Sequence, residues 1–282
     1  MQYGTSKWAD WVLDEDAALE HIKAAYEAGI QTFDTANVYS YGESERILGK
    51  VIKKLNLPRD EIVILTKLHG VVAREFGVSY WGEGNKADSD GYVNQHGLSR
   101  KHIFESVKHS LERLQLDYVD VLQYAAILDY AINNKLTPFI SMQNHYSLLY
   151  REEEREMFPT LKLFGVGSIP WSPIARGVLT RPFGETTKRM NSDLATGRYL
   201  KMQSTPEILK RVEEVSKKLG ISMAQVSVAW ILSKEGVSAP IVGTTSLKNL
   251  EEIIAAVDVK LTEEDIKYLE EPYVPQEIFG HF

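Results

Sequence analysis

Cysteine is absent from the 282-residue chain, which removes disulfides, thiolate nucleophiles and cysteine-ligated zinc together. No run approaches the ~18 apolar residues that a membrane-crossing helix needs. Residues Met1 to Asp10 show no basic-then-apolar secretion pattern. A cytoplasmic protein without a membrane partner is the expectation. Surplus positive charge is missing too: 39 Asp and Glu against 32 Lys and Arg give a net charge of −7, so no basic footprint invites nucleic acid. The seven histidines show no metal-ligand spacing with carboxylates, and no metal site is expected. A Gly-x-Ser-x-Gly nucleophile elbow is lacking. Gly165-Val166-Gly167 precedes a strand rather than joining a strand to a helix, so it reads as a turn.

What is present is alternation. Asp14 opens a helix with Ala18, Leu19, Ile22, Ala25 and Tyr26 on one face, ended by Gly29, and Thr32 to Ala36 follows as a strand. A second helix carries Ile47, Leu48, Val51, Ile52 and Leu55, and Ile62 to Lys67 is the next strand. Residues His69 to Gly97 are polar, glycine-rich and aperiodic, as in a functional loop. Ser99 caps a helix with Ile103, Val107, Leu111 and Leu114 on its apolar stripe, before a strand from Tyr118 to Gln123. Further strands are expected at Phe139 to Gln143, Val166 to Trp171 and Ala239 to Gly243. Thr205-Pro206, Ser222, Ser246 and Thr262 start later helices. The run Arg151 to Glu156 reads as a solvated helix start.

Helices between strands require parallel pairing, and one core of this size suits a single α/β domain over residues 1–282, a (β/α)8 TIM barrel. Only about six strands are counted, beginning near residues 32, 62, 119, 139, 166 and 239, where such a barrel has eight.

Asp34 and Lys67 end neighbouring strands, and Tyr39 follows on the loop above them. Active residues of a barrel sit at such strand ends. A phenol, with an ordinary pKa of ~10, is a poor acid unless a nearby cation favours its ionised form, and a lysine held by a carboxylate is suited to that task. Taken singly, the three residues also read as a strand-end cap, a rim aromatic and a solvated charge. Their combination at these positions favours chemistry, with Tyr39 as candidate proton donor.

Phe33-Asp34-Thr35-Ala36, then Tyr39, Gly42-Glu43-Ser44-Glu45 and a strand ending in Thr66-Lys67 resemble the signature of the aldo-keto reductases, a barrel family that reduces aldehydes and ketones with a nicotinamide cofactor. The resemblance covers most of the chain. It implies that Tyr39 protonates the carbonyl oxygen, that Lys67 tunes Tyr39 and that Asp34 holds Lys67. Phe139 to Tyr146 is similar to the family strand whose glutamine, here Gln143, binds the nicotinamide carboxamide. Ile169 to Gly177 resembles the strand and loop in which Trp171 stacks on the nicotinamide, while Ser172, Pro173, Ile174, Arg176 and Gly177 wrap the pyrophosphate. Without that resemblance, a tryptophan beside Ser-Pro reads as core packing. Pro240 to Glu252 is similar to the adenosine-phosphate segment. There Gly243, Thr244 and Thr245 fall on the phosphate loop, Asn249 on a position often basic or Gln, and Glu252 on the adenine-contacting acid. NADPH (NADP) is the cofactor implied, and a small-molecule carbonyl compound the substrate. Gly97 to His102 and Tyr150 to Arg155 suggest the branch of aryl-alcohol dehydrogenases and natural-product reductases, with potassium-channel β subunits more distant. Oligomeric state is left open.

Two departures stand out. The family places a His-Arg pair after the strand ending in Leu-Gln, where this chain has Leu122-Gln123-Tyr124, and Ala125 to Lys135 then resembles a later helix. One central helix-strand segment is therefore expected to be missing, and the chain starts at what resembles the end of the first barrel strand. Either the written chain omits segments or the protein is an abbreviated form, inactive or assembled differently. His145 is the nearest substitute for the missing histidine.

Overall fold

Asp14 accepts the N–H of Ala17 at 3.1 Å and so starts helix α1 (Glu15–Glu27), which buries Ala18, His21, Ile22 and Ala25. The computed structural model describes residues 1–80, 84–123, 139–193 and 195–278, which fall into two compact units. One takes Met1–Ala126 and Gly243–Leu247, the other Ile127–Val242 and Lys248–Phe282.

In the first unit α1 is followed by β1 (Thr32–Asp34), α2 (Glu43–Lys54), β2 (Val63–Lys67), α3 (Gly84–Ser89), α4 (Arg100–Leu114) and β3 (Val121–Gln123). The strands form a sheet in the order β1-β2-β3. Both pairings are parallel, with Asp34 beside Leu65 and Lys67 beside Gln123. The expected strands are shorter than read, but the ladder outlasts β1: Thr35 N–H bonds to the Leu65 carbonyl at 2.9 Å and Asn37 N–H to that of Lys67 at 3.0 Å. The segment leading to Tyr39 is thereby pinned to β2.

Ile22, Ile47, Val51, Ile64 and Leu114 centre the core of this unit, each worth about 1.5–3 kcal/mol when fully buried. Helices α2 and α4 touch at Gly49, where a Cβ would lie 2.1 Å from the Leu114 carbonyl oxygen. Only hydrogen fits there.

Two expectations are corrected here. The segment 69–97 contains α3 and is not wholly irregular. Helix α4 is turned from the orientation that its apolar spacing predicts: it buries His102, Ser106, Ser110, Arg113 and Leu114, leaving Ile103, Val107 and Leu111 half-buried and Phe104 65% exposed. Polar groups bury at little cost when paired, and these are. Arg113 Nε donates to Glu45 Oε2 at 2.6 Å, and His102 Nε2 lies 2.7 Å from the Leu68 carbonyl oxygen.

The second unit comprises β4 (Ser141–Met142), α5 (Met157–Phe164), β5 (Gly167–Ser168), α6 (Lys188–Ser192), α7 (Thr196–Lys201), α8 (Thr205–Leu219), α9 (Met223–Leu232), α10 (Leu247–Ala255) and α11 (Glu263–Glu270). The first residue of α10 groups with the first unit. Strands β4 and β5 pair in parallel, and single bridges join His145 to Trp171, Ser168 to Val237 and Trp171 to Ile241. Three extended segments thus run side by side where three strands were expected. Ser222 and Gln225 cap α9 reciprocally, and Thr262 accepts the Asp265 N–H at 3.1 Å to start α11. Tyr146, Leu149, Leu179, Ile208, Trp230 and Leu269 are core residues.

The run from Arg151 to Glu156 is solvated only at Arg155 and Glu156. Glu152 and Glu153 are 7% and 6% exposed. Glu152 accepts from the Tyr273 hydroxyl at 2.6 Å and the Gln276 N–H at 2.7 Å, while Arg151 bridges Glu154 and Glu270. The expected helix-like stretch from Ala125 to Lys135 lies outside the described residues. Among the described residues no helix is long and apolar enough to cross a membrane.

Candidate active site

At the end of β2, Lys67 Nζ donates to both carboxylate oxygens of Asp34, at 2.8 and 2.7 Å, and to the Thr35 carbonyl at 2.8 Å. The same nitrogen lies 5.2 Å from the centroid of the Tyr39 ring. Burial works against the ammonium charge, but Tyr39 and Asp34 outweigh it, and the pKa of Lys67 stands above its ordinary value. The carboxylate, phenol and cation expected from the sequence converge.

Tyr39 enters a tight turn in which Ser40 (φ 51), Tyr41 (φ 59) and Gly42 (φ 90) are all left-handed. Two of these are not glycine, so the turn carries strain, of order 1 kcal/mol or more per residue, that surrounding contacts must offset. Ser40 is fully buried and its hydroxyl accepts the Thr5 N–H at 3.2 Å. Gly42 lies against Arg113, where a Cβ would come within 2.9 Å of Cδ. Trp8 flanks Tyr39 with ring centroids 6.3 Å apart, and Tyr41 meets Phe76 edge-on at 5.4 Å.

Beneath the turn lies a buried polar cluster. Glu45, fully buried, accepts from the Thr66 hydroxyl at 2.6 Å and from Arg113 at 2.6 Å. Thr35 and Ser44 hydroxyls bond at 2.9 Å. Sequence reasoning quoted Glu45 only as part of a motif. Its burial beside Thr66, next to Lys67 in the chain, shows what a lone acid at a helix start can signal.

In the second unit Trp171 and His145 stack with ring centroids 4.0 Å apart and planes 6° from parallel. Tyr150 covers the other face of His145 at 4.1 Å and 12°. His145 Nε2 lies 2.7 Å from the Tyr199 hydroxyl. Burial pushes that phenol up to about 12, against the opposing pull of Arg176 and Ser172. His145 is therefore a packed residue, 1% exposed, with an aromatic ring stacked on each of its faces.

Gln143 is half-buried, as are Trp171, Ser172, Ile174, Arg176 and Gly177, whereas Pro173 is buried. Ser172, Ala175, Arg176 and Gly177 all have positive φ, between 47° and 98°, and the Ala175 and Gly177 N–H groups are taken by the Ser172 and Ile174 carbonyls, both at 2.9 Å. Arg176 pairs with Asp193 at 2.6 Å, and Arg189 reaches the same oxygen at 3.3 Å. Two guanidinium groups on one carboxylate leave a net positive charge beside this loop, a donor set that fits the phosphates of a dinucleotide. Gly243 lies against the side chain of Gln2, and the Thr244 hydroxyl accepts the Ser246 N–H at 3.2 Å. Thr245 and Asn249 are exposed and Glu252 half-buried.

The sequence profile of the Aldo/keto reductase family matches residues 1–131 and again 124–273. The chain belongs to that family. This aldo/keto reductase is similar to a versiconal hemiacetal acetate reductase of Aspergillus parasiticus, 42% identical across 99% of this chain and 93% of the relative. A protein of Schizosaccharomyces pombe with an aryl-alcohol dehydrogenase name is 43% identical across 99% and 92%. An aldo-keto reductase of Metarhizium robertsii is 40% identical across 100% and 88%. The first of these alignments runs over 327 positions against 282 residues here, so at least 45 positions have no counterpart in this chain. The two family matches meet at 124–131, just after β3, which agrees with the break read from Leu122-Gln123-Tyr124.

Proposed function

We propose that this aldo/keto reductase reduces aldehydes or ketones to alcohols, reversibly, with NADPH and with Tyr39 as proton donor. The observation that carries this reading is the two-oxygen grip of Asp34 on Lys67 beside the Tyr39 ring. Reduced nicotinamide supplies the hydride. Tyr39 gives its proton to the carbonyl oxygen, and the Lys67 ammonium faces the phenolate that is left, where opposite charge is stabilising. Asp34 keeps the ammonium from swinging toward solvent. Gln143 would hold the carboxamide and Trp171 the ring face. Ser172, Pro173, Ile174, Arg176 and Gly177 would take the pyrophosphate, with Gly243, Thr244, Thr245, Asn249 and Glu252 on the adenosine phosphate side. The family fold implies one (β/α)8 barrel domain over residues 1–282, and we propose a cytoplasmic setting.

The test is NADPH consumption with a panel of aldehydes and ketones. Wild type should turn over and Tyr39→Phe should lose about 100-fold or more; full activity in that variant would sink the assignment. A second reading is favoured by two observations, the 45 or more absent positions and the Tyr124 in place of histidine: a module that binds cofactor without turning it over. Fluorescence titration showing NADPH binding, together with silence across the whole panel, would select it.

A further inference from the structure

A ring stacked on both faces is held in its plane but not within it, because stacked rings keep most of their contact when one slides or spins past another. His145 is in that position between Trp171 and Tyr150. What stops it from sliding is Tyr199, whose ring stands edge-on to the imidazole at 5.7 Å and 73° and whose hydroxyl oxygen lies 2.7 Å from Nε2. Tyr199 is itself fixed. It is 1% exposed, and its carbonyl accepts the hydroxyl of Thr205, the first residue of α8, at 2.6 Å.

The same hydroxyl faces a second set of groups. The Ser172 and Arg176 side chains bond to it and draw its pKa down, against the larger effect of burial. A guanidinium can only donate, so the phenol oxygen accepts from Arg176 and the phenol proton goes to His145 Nε2. One hydroxyl thus joins the rings behind Trp171 to the loop at Ser172 and Arg176, and Asp193 holds the same arginine at 2.6 Å. We infer that Tyr199 is a positioning residue for the cofactor: through His145 it fixes where the Trp171 face lies relative to the loop from Ser172 to Gly177, so that nicotinamide and pyrophosphate are met in one register. This rests on the dinucleotide reading above. Tyr199 acts through the ring and the loop, not on the reacting atoms.

Tyr199→Phe keeps the aromatic ring and removes only the oxygen. Isothermal titration calorimetry should show NADPH binding weakened by about 10-fold, and binding of the adenosine bisphosphate fragment of NADP, which lacks the nicotinamide, weakened by less than about 2-fold. Circular dichroism should be unchanged. Without ligand, tryptophan emission should differ from that of wild type, and the difference should vanish in a Trp171→Phe background. His145→Phe keeps a flat ring in the stack but gives the Tyr199 hydroxyl no acceptor. It should weaken NADPH by a similar factor and add less than about 2-fold on top of Tyr199→Phe, and it carries the test independently if Tyr199→Phe folds poorly. NADPH binding within about 2-fold of wild type in both variants, an equal loss for the fragment, or unaltered emission would overturn the inference and leave the reductase reading standing. Wild type that binds no NADPH would overturn both.

Discussion

The two units hold their candidate site residues by different forces. In the first, Lys67 is gripped by Asp34 and the turn carrying Tyr39 rests on Arg113, itself bonded to Glu45: directional contacts between charges. In the second, Trp171 is held face-on by His145, which Tyr150 covers in turn. Charge pairs fix an atom to within a hydrogen-bond length but fail abruptly when one member is lost. Stacked rings fix a plane, tolerate small shifts and lose strength gradually.

The comparison can be broken first at Arg113. Its replacement by Ala strands Glu45, fully buried, and should cost about 3–5 kcal/mol, read from chemical denaturation. A loss under 1 kcal/mol would mean that charge does not organise the first unit as described. His145→Ala should cost less, roughly 2 kcal/mol from lost stacking and a small void. It should also shift tryptophan fluorescence as one face of Trp171 opens; an unchanged spectrum would remove His145 from the support of that ring. The smallest effect sharpens the contrast through pH. Burial lowers the pKa of His102, so the unfolded chain takes up a proton more readily than the folded one. The stability contributed by the neutral ring is complete above about pH 6.5 and is lost as pH falls through the lower folded value. His102→Gln should therefore flatten the fall in Tm between about pH 7 and pH 5, and an unaltered slope would exclude His102 as its source.

Strand ends and helix caps were legible in the sequence because they depend on neighbours in the chain. Asp14, Ser99, Ser222 and Thr262 each satisfy an N–H three residues ahead, and Asp34 and Lys67 close the strands on which they were placed. The face that α4 buries was not legible. Its periodicity favoured Ile103, Val107 and Leu111, but the outcome is set by Glu45, 68 residues from Arg113, and by the Leu68 carbonyl. The acids after Arg151 misled for the same reason, since Tyr273 and Gln276 lie more than 120 residues further on. Tyr199 carried no local signal at all; its partner His145 is 54 residues away. A polar residue looks solvated until its distant partner is known.

Position 49 shows how little sequence freedom such an arrangement leaves. Many positions on a helix accept a dozen residue types, yet here even a methyl group would strike the backbone of the neighbouring helix. Across variants that keep this fold, residue 49 should be among the least tolerant, and the intolerance would say nothing about catalysis. It records the distance of closest approach between two rods.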